Sequence, residues 1–189
     1  MFQLTEQDQR FLLRIARDSV QSYLVNEPPG LPEVPAGVLT EPRGVFVSIH
    51  KDGELRGCIG NIHPSGALYR TAAECAVAAA VGDPRFMPLT LGEMSDVEFE
   101  VSVLSHIEPV ENIGDIEVGK HGLLISKKNA RGLLLPQVAT TYGWDRDRFL
   151  AETCKKAGLS SDAWKDGATI HTFSAFVFGE RQFHLSATT

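Results

Sequence analysis

The chain has 189 residues and a mass of 20.6 kDa, the size of one domain or of two lobes sharing a core. Hydrophobic residues make up 43% and charged residues 22%, which excludes a disordered chain. Lys and Arg number 18 against 24 Asp and Glu, and the net charge of −6 excludes a broadly basic nucleic-acid coat.

The first residues carry Glu6 and Asp8 where a secretory leader would be apolar and a transit peptide acid-poor. The longest apolar tract, Ala72 to Val81, is broken by Glu74 and is too short to span a bilayer. Three cysteines, Cys58, Cys75 and Cys154, are widely spaced without a CxxC pair, a pattern of free thiols in a reducing compartment. A cytoplasmic protein is expected.

In chain order, Thr5 is placed to cap a helix whose apolar stripe runs through Leu12, Leu13, Ala16, Val20, Tyr23 and Leu24. Asn26 to Pro42 holds five prolines and two glycines, so it is expected as a loop or an extended arm. A strand over 45–50 follows, then a turn at Lys51–Glu54 and a hairpin partner over 55–59. Asn61 to Ser65 breaks the chain before an Ala-rich helix over 66–81, with Gly82 placed to stop it. Asp83-Pro84 starts a turn.

Alternation is clearest over 96–105, where Val97, Phe99, Val101 and Val103 share one strand face and Glu98 and Glu100 the other. A second hairpin is expected over 121–136, turning at Lys128-Asn129-Ala130. An amphipathic helix over 145–157 ends at Gly158. Residues 170–178 should form one central strand, with 181–185 pairing back. Helices and hairpins mixed without regular βαβ alternation give an α+β class with a largely antiparallel sheet and packed helices.

Chemistry is densest in Leu55-Arg56-Gly57-Cys58-Ile59-Gly60. On a regular strand Leu55 and Ile59 enter the core, while Arg56 and Cys58 share the other face about 7 Å apart. A guanidinium near a thiol supports the thiolate, and Gly57 and Gly60 admit a ligand or another backbone at close range. Cys58 is therefore a candidate reactive or hydrogen-bonding group with Arg56 setting its charge state. The alternative is that Cys58 is a small buried hydrophobe, as expected of Cys75 and Cys154.

Glu98 and Glu100 are a carboxylate pair suited to acid and base work or to ligand binding, or simply the wet side of a half-buried strand. Arg85, after the Asp83-Pro84 turn, is a candidate anion ligand, with Phe86 as a core anchor in the plainer reading. His50, His63, His106, His121, His171 and His184 form no metal-binding spacing. No GxGxxG, Walker loop or GxSxG is present, so the pattern names no cofactor.

The hexapeptide 55–60 resembles the hallmark of the AMMECR domain family, known in prokaryotes as AmmeMemoRadiSam system protein A. Asp83-Pro84-Arg85-Phe86, Pro88-Leu89, residues 100–105, Leu134-Leu135-Pro136-Gln137-Val138-Ala139, Lys156-Ala157-Gly158-Leu159 and Trp164 follow in the same order. Relatives often carry a Glu where this chain has Thr141.

The resemblance implies a single AMMECR-type domain over 1–189, with a larger and a smaller lobe and a cleft near the hexapeptide. Gln137 joins Gly57, Gly60, Arg85, Glu98 and Glu100 as a candidate ligand-binding residue. It also implies a Memo-like protein and a radical-SAM protein as partners, and it supplies no activity. The expected function is binding of a small anionic molecule or a modified side chain. The alternative is a non-enzymatic adaptor that docks on those partners through the cleft rim or the proline-rich arm.

Overall fold

Helix α1 (Glu6–Leu24) starts where Thr5 predicts. The Thr5 hydroxyl accepts the Asp8 N–H at 3.2 Å, and the Asp8 carboxylate accepts the Thr5 N–H at 3.0 Å, a reciprocal cap that satisfies two otherwise orphaned donors. The computed structural model describes residues 4–34, 36–62 and 66–183; His63, His184 and the end of the expected 181–185 strand lie outside them. The chain divides into two compact units, Met1–Val103 with Phe176–Thr189, and Leu104–Ala175.

In the first unit a turn with Asp52 and Gly53 at φ of 53° and 84° joins β1 (Val45–Lys51) to β2 (Glu54–Asn61). Two successive left-handed residues match the twist of a tight hairpin. With β3 (Val97–Leu104) and β8 (Ala175–Gly179) these strands form an antiparallel sheet in the order β2-β1-β3-β8. Val45, Val47 and Ile49 of β1, and Val97, Phe99 and Val101 of β3, are buried together with Phe178. Helix α2 (Leu68–Val81) packs on β1 and β2, and α1 packs on α2.

Within the proline-rich arm, Leu39 is buried and Leu31, Val34 and Val38 pack against the same core. Arg17 of α1 meets Glu180 at 2.6 Å, and the same guanidinium donates to the Met94 and Val97 carbonyls. Glu180 Oε2 in turn accepts the Phe99 N–H at 2.8 Å. This engagement of Glu180 accompanies a 3-10 turn over Glu180–Phe183, where the sequence suggested a returning strand.

In the second unit β4 (Glu108–Pro109), β5 (Gly122–Lys127), β6 (Ala130–Leu134) and β7 (Thr169–Phe173) form an antiparallel sheet in the order β4-β7-β5-β6. Helix α4 (Arg146–Lys156) buries Phe149, Leu150 and Cys154 with Leu123, Ile125 and Ile170. Helix α3 (Pro136–Thr141) was not expected; Pro136 occupies its first turn, where the missing N–H costs nothing.

The expected strand over 170–178 is interrupted at Ser174. Ser174 donates its N–H to Ser105 Oγ and accepts the Ser105 N–H, each at 2.9 Å. These bonds take its backbone out of a strand ladder, so β7 ends before it and β8 begins after it in the other sheet. The architecture is α+β with antiparallel sheets and packed helices, as expected.

Candidate functional site

The hexapeptide lies on β2, an outer strand of the first sheet. Its register on β1 runs Ile49↔Gly57 and then His50↔Leu55, so Arg56 is the extra residue of a β-bulge. A bulge breaks the two-residue alternation and re-aims the side chains beside it. Leu55 accordingly stands opposite His50 and is 39% exposed, contrary to the expectation that it enters the core.

Arg56 has partners of its own. Its Nη1 donates to the Met87 carbonyl at 2.8 Å, and its Nε and Nη2 stand 3.2 and 3.3 Å from the two Glu93 oxygens. Burial would raise the Glu93 carboxyl, but the Thr90 N–H and the Arg56 guanidinium together bring it down to about 2. The guanidinium is thus engaged by Glu93 and by the Met87 carbonyl.

Cys58 is half-buried. Ser48, its partner across the β1–β2 ladder, donates its hydroxyl to Cys58 Sγ at 3.2 Å. The Cys58 N–H donates to Asp83 Oδ2 at 2.9 Å, and Arg85 Nη2 lies 3.4 Å from the Cys58 carbonyl. Arg85 also grips Asp83 through two nitrogens, at 2.9 and 2.6 Å. Asp83 is buried, with a side chain 2% exposed against 56% for Arg85. The Arg85 bonds first, then the Cys58 and Arg85 N–H groups, hold its carboxyl well below the usual range despite burial. The cation beside Cys58 is therefore Arg85.

The two glycines are filled by the protein's own atoms. A Cβ on Gly57 would stand 2.2 Å from the Ala79 carbonyl oxygen of α2, so the small residue lets helix and strand backbones approach. A Cβ on Gly60 would stand 2.2 Å from the Phe46 ring, which lies over it from the paired position on β1. Of the two expected visitors, Gly57 thus admits another backbone, while the space at Gly60 is taken by the Phe46 ring.

His50 and Ser48 of β1 stand opposite Glu98 and Glu100 of β3. Glu98 pairs with Arg181, and Glu100 Oε1 is 3.9 Å from His50 Nε2. Gln137 lies on α3 in the second unit, where its carbonyl accepts the Thr140 and Thr141 hydroxyls at 2.9 Å each. Thr141 thus bonds back to its own helix. Phe86 is half-buried rather than a core anchor, and Asp83 takes the buried place in that turn.

Cys75 and Cys154 are buried. Burial, then the Glu74 charge, pushes the Cys75 thiol up to about 11, and burial raises that of Cys154. Sequence reasoning missed Ser48 and Glu93 as partners of Cys58 and Arg56. Counting back from the Asp52-Gly53 turn would have set Ser48 near Cys58, had the bulge been visible. Among the described residues no group of His, Cys, Asp and Glu is arranged to hold a metal ion, and no helix is long and apolar enough to cross a membrane.

The model of the AMMECR1 family matches residues 13–178. The chain belongs to the AMMECR1 family. It is 43% identical to a protein of Methanothermobacter thermautotrophicus, over 94% of this chain and 96% of that one. Protein PF1979 of Pyrococcus furiosus is 42% identical over 95% and 91% of the two chains. The crystal structure of uncharacterized protein PH0010 from Pyrococcus horikoshii superposes with a TM-score of 0.87 at 38% identity, covering 94% of each chain. In this family member the hexapeptide carries a bulge and a thiol that accepts a serine hydroxyl, and its Cys58 N–H bonds to a buried aspartate.

Proposed function

We propose that the face of the first sheet around Cys58 binds a small anionic molecule or a modified side chain, with the Cys58 sulfur and the Arg85 guanidinium as the groups that meet it. The observation that carries this reading is the Ser48 hydroxyl donated to the half-buried sulfur at 3.2 Å. A hydroxyl donated to the sulfur fixes the direction of that side chain, and the Arg85 cation held at the Cys58 carbonyl favours an anionic visitor. Arg85 suits that task because Asp83 holds it in place while more than half of its side chain stays in solvent.

Inorganic phosphate serves as the test anion. At constant ionic strength it should slow iodoacetamide alkylation of Cys58 in the wild type and leave Arg85→Ala unaffected. Alkylation indifferent to phosphate in both proteins would remove the anion-binding reading. Intact-protein mass spectrometry under native conditions then asks whether the purified protein carries a bound mass that Cys58→Ser loses.

A further inference from the structure

Beside the thiol, the same sheet carries a second set of chemical groups. His50, Glu98 and Glu100 lie on the β1 and β3 positions that alternate with the buried valines. With Phe99, Val177, Phe178, Gly179, Arg181 and Gln182 they line a half-open cavity of about 380 Å³. That volume lies within the span of small-molecule pockets.

The charges of this cavity do not cancel. Glu180 borders it, but its carboxylate is spent on Arg17 and the Phe99 N–H. Glu98 has Arg181. Glu100 has no cation of its own among the described residues, only the imidazole of His50 at 3.9 Å, beyond hydrogen-bond distance. His50 Nε2 is enclosed and makes no hydrogen bond, an arrangement that native interiors seldom leave unanswered. Val177, 41% exposed, adds an apolar wall, and Gly179 packs over Glu100, where an added Cβ would be in ordinary contact, 3.5 Å from the Phe99 carbonyl oxygen and 3.8 Å from the Glu100 Cβ.

We infer that this cavity is a binding site for a small organic cation, a primary amine or guanidino compound, with Glu100 as its counter-charge and Val177 beside its alkyl part. An anion would meet two carboxylates and one already paired arginine, so like charge selects against it. The inference goes beyond the thiol site, since it uses β1, β3 and β8 and neither Cys58 nor Arg85.

The probe is n-butylammonium, followed through the ring protons of His50 by NMR at fixed pH and ionic strength. The wild type should show a saturable shift, and butyrate at the same concentration should show none. Glu100→Gln should weaken the binding about tenfold or more, the loss of one charge-assisted contact. Arg181→Ala, at a side chain 67% exposed, should leave the fold intact and tighten binding by freeing the Glu98 charge. Cys58→Ser should bind like the wild type, which separates this site from the proposed function. A non-saturable response, equal binding of butyrate, or unchanged affinity in Glu100→Gln and Arg181→Ala would overturn the inference.

Discussion

Asp83 accepts the backbone N–H of Cys58 at 2.9 Å from 25 positions further along the chain. One buried carboxylate thereby fixes the main chain of the cysteine and the guanidinium next to it. Replacing Asp83 by Ala leaves the Cys58 N–H without its acceptor and Arg85 without its anchor. We expect a loss of about 1–3 kcal/mol, set by the buried hydrogen bond and little increased by an arginine so exposed. Urea unfolding measures it; an unchanged midpoint would mean that water replaces the carboxylate at no cost.

Gly57 and Gly60 should respond differently to the same added methyl group. At Gly57 the obstacle is the backbone of α2, which cannot move without parting helix from sheet. Gly57→Ala should cost about 1–3 kcal/mol or more. At Gly60 the obstacle is a side chain, the Phe46 ring with its Cγ at 2.3 Å, which only a change of χ1 can carry aside, though without parting two backbones, so Gly60→Ala should cost less. Thermal melts of the two variants give the order, and a reversed order would contradict the packing described.

The three thiols should separate by accessibility. Cys75 and Cys154 are buried with raised thiols, while Cys58 is half-buried. Iodoacetamide should add one group to the native protein and three to the protein in urea, read from intact mass. Arg56→Ala should leave the Cys58 rate near the wild-type value, because that guanidinium belongs to Glu93. Ser48→Ala should slow the reaction several-fold through loss of the donated hydroxyl. Equal rates in wild type and Ser48→Ala would show that the hydroxyl does not assist the sulfur.

Acid should weaken the fold in a defined window. The Glu93 carboxyl lies at about 2 in the folded protein against an ordinary 4.5, so the unfolded chain binds the proton first as pH falls. Its contribution is complete above pH 4.5 and fades as pH drops towards 2; Asp83, also lowered, adds in the same direction. Glu93→Gln should be less stable than wild type at neutral pH, with the gap closing towards pH 2. Melting temperatures across that range test it, and a constant gap would mean that Glu93 keeps no special charge state.

Most elements of the fold were legible because local signals agree with their surroundings. The Thr5 cap, the Asp52-Gly53 turn and the alternation over Val97–Val103 each specify their element within a few residues. The break at Ser174 was not legible, since a run of β-branched and aromatic residues reads as one strand until Ser105 arrives from elsewhere in the chain. Within the site, Cys58 and Arg85 were singled out, but the partner of each came from long range. The regular alternation that paired Arg56 with Cys58 fails at a single inserted residue, which leaves no mark in composition or periodicity. Asp83 looked like an ordinary turn residue because its burial depends on β2.

Strand β2 is one of the two outer strands of its sheet, and an open border of that kind invites a foreign segment to zip on. At Cys58 the outward-pointing amide is already engaged by Asp83, and Arg85 stands over the carbonyl. The two side chains imitate one rung of a neighbouring strand, so a visiting peptide would first have to evict a salt bridge. The same arrangement that steadies the cysteine thus discourages copies of the protein from joining along β2.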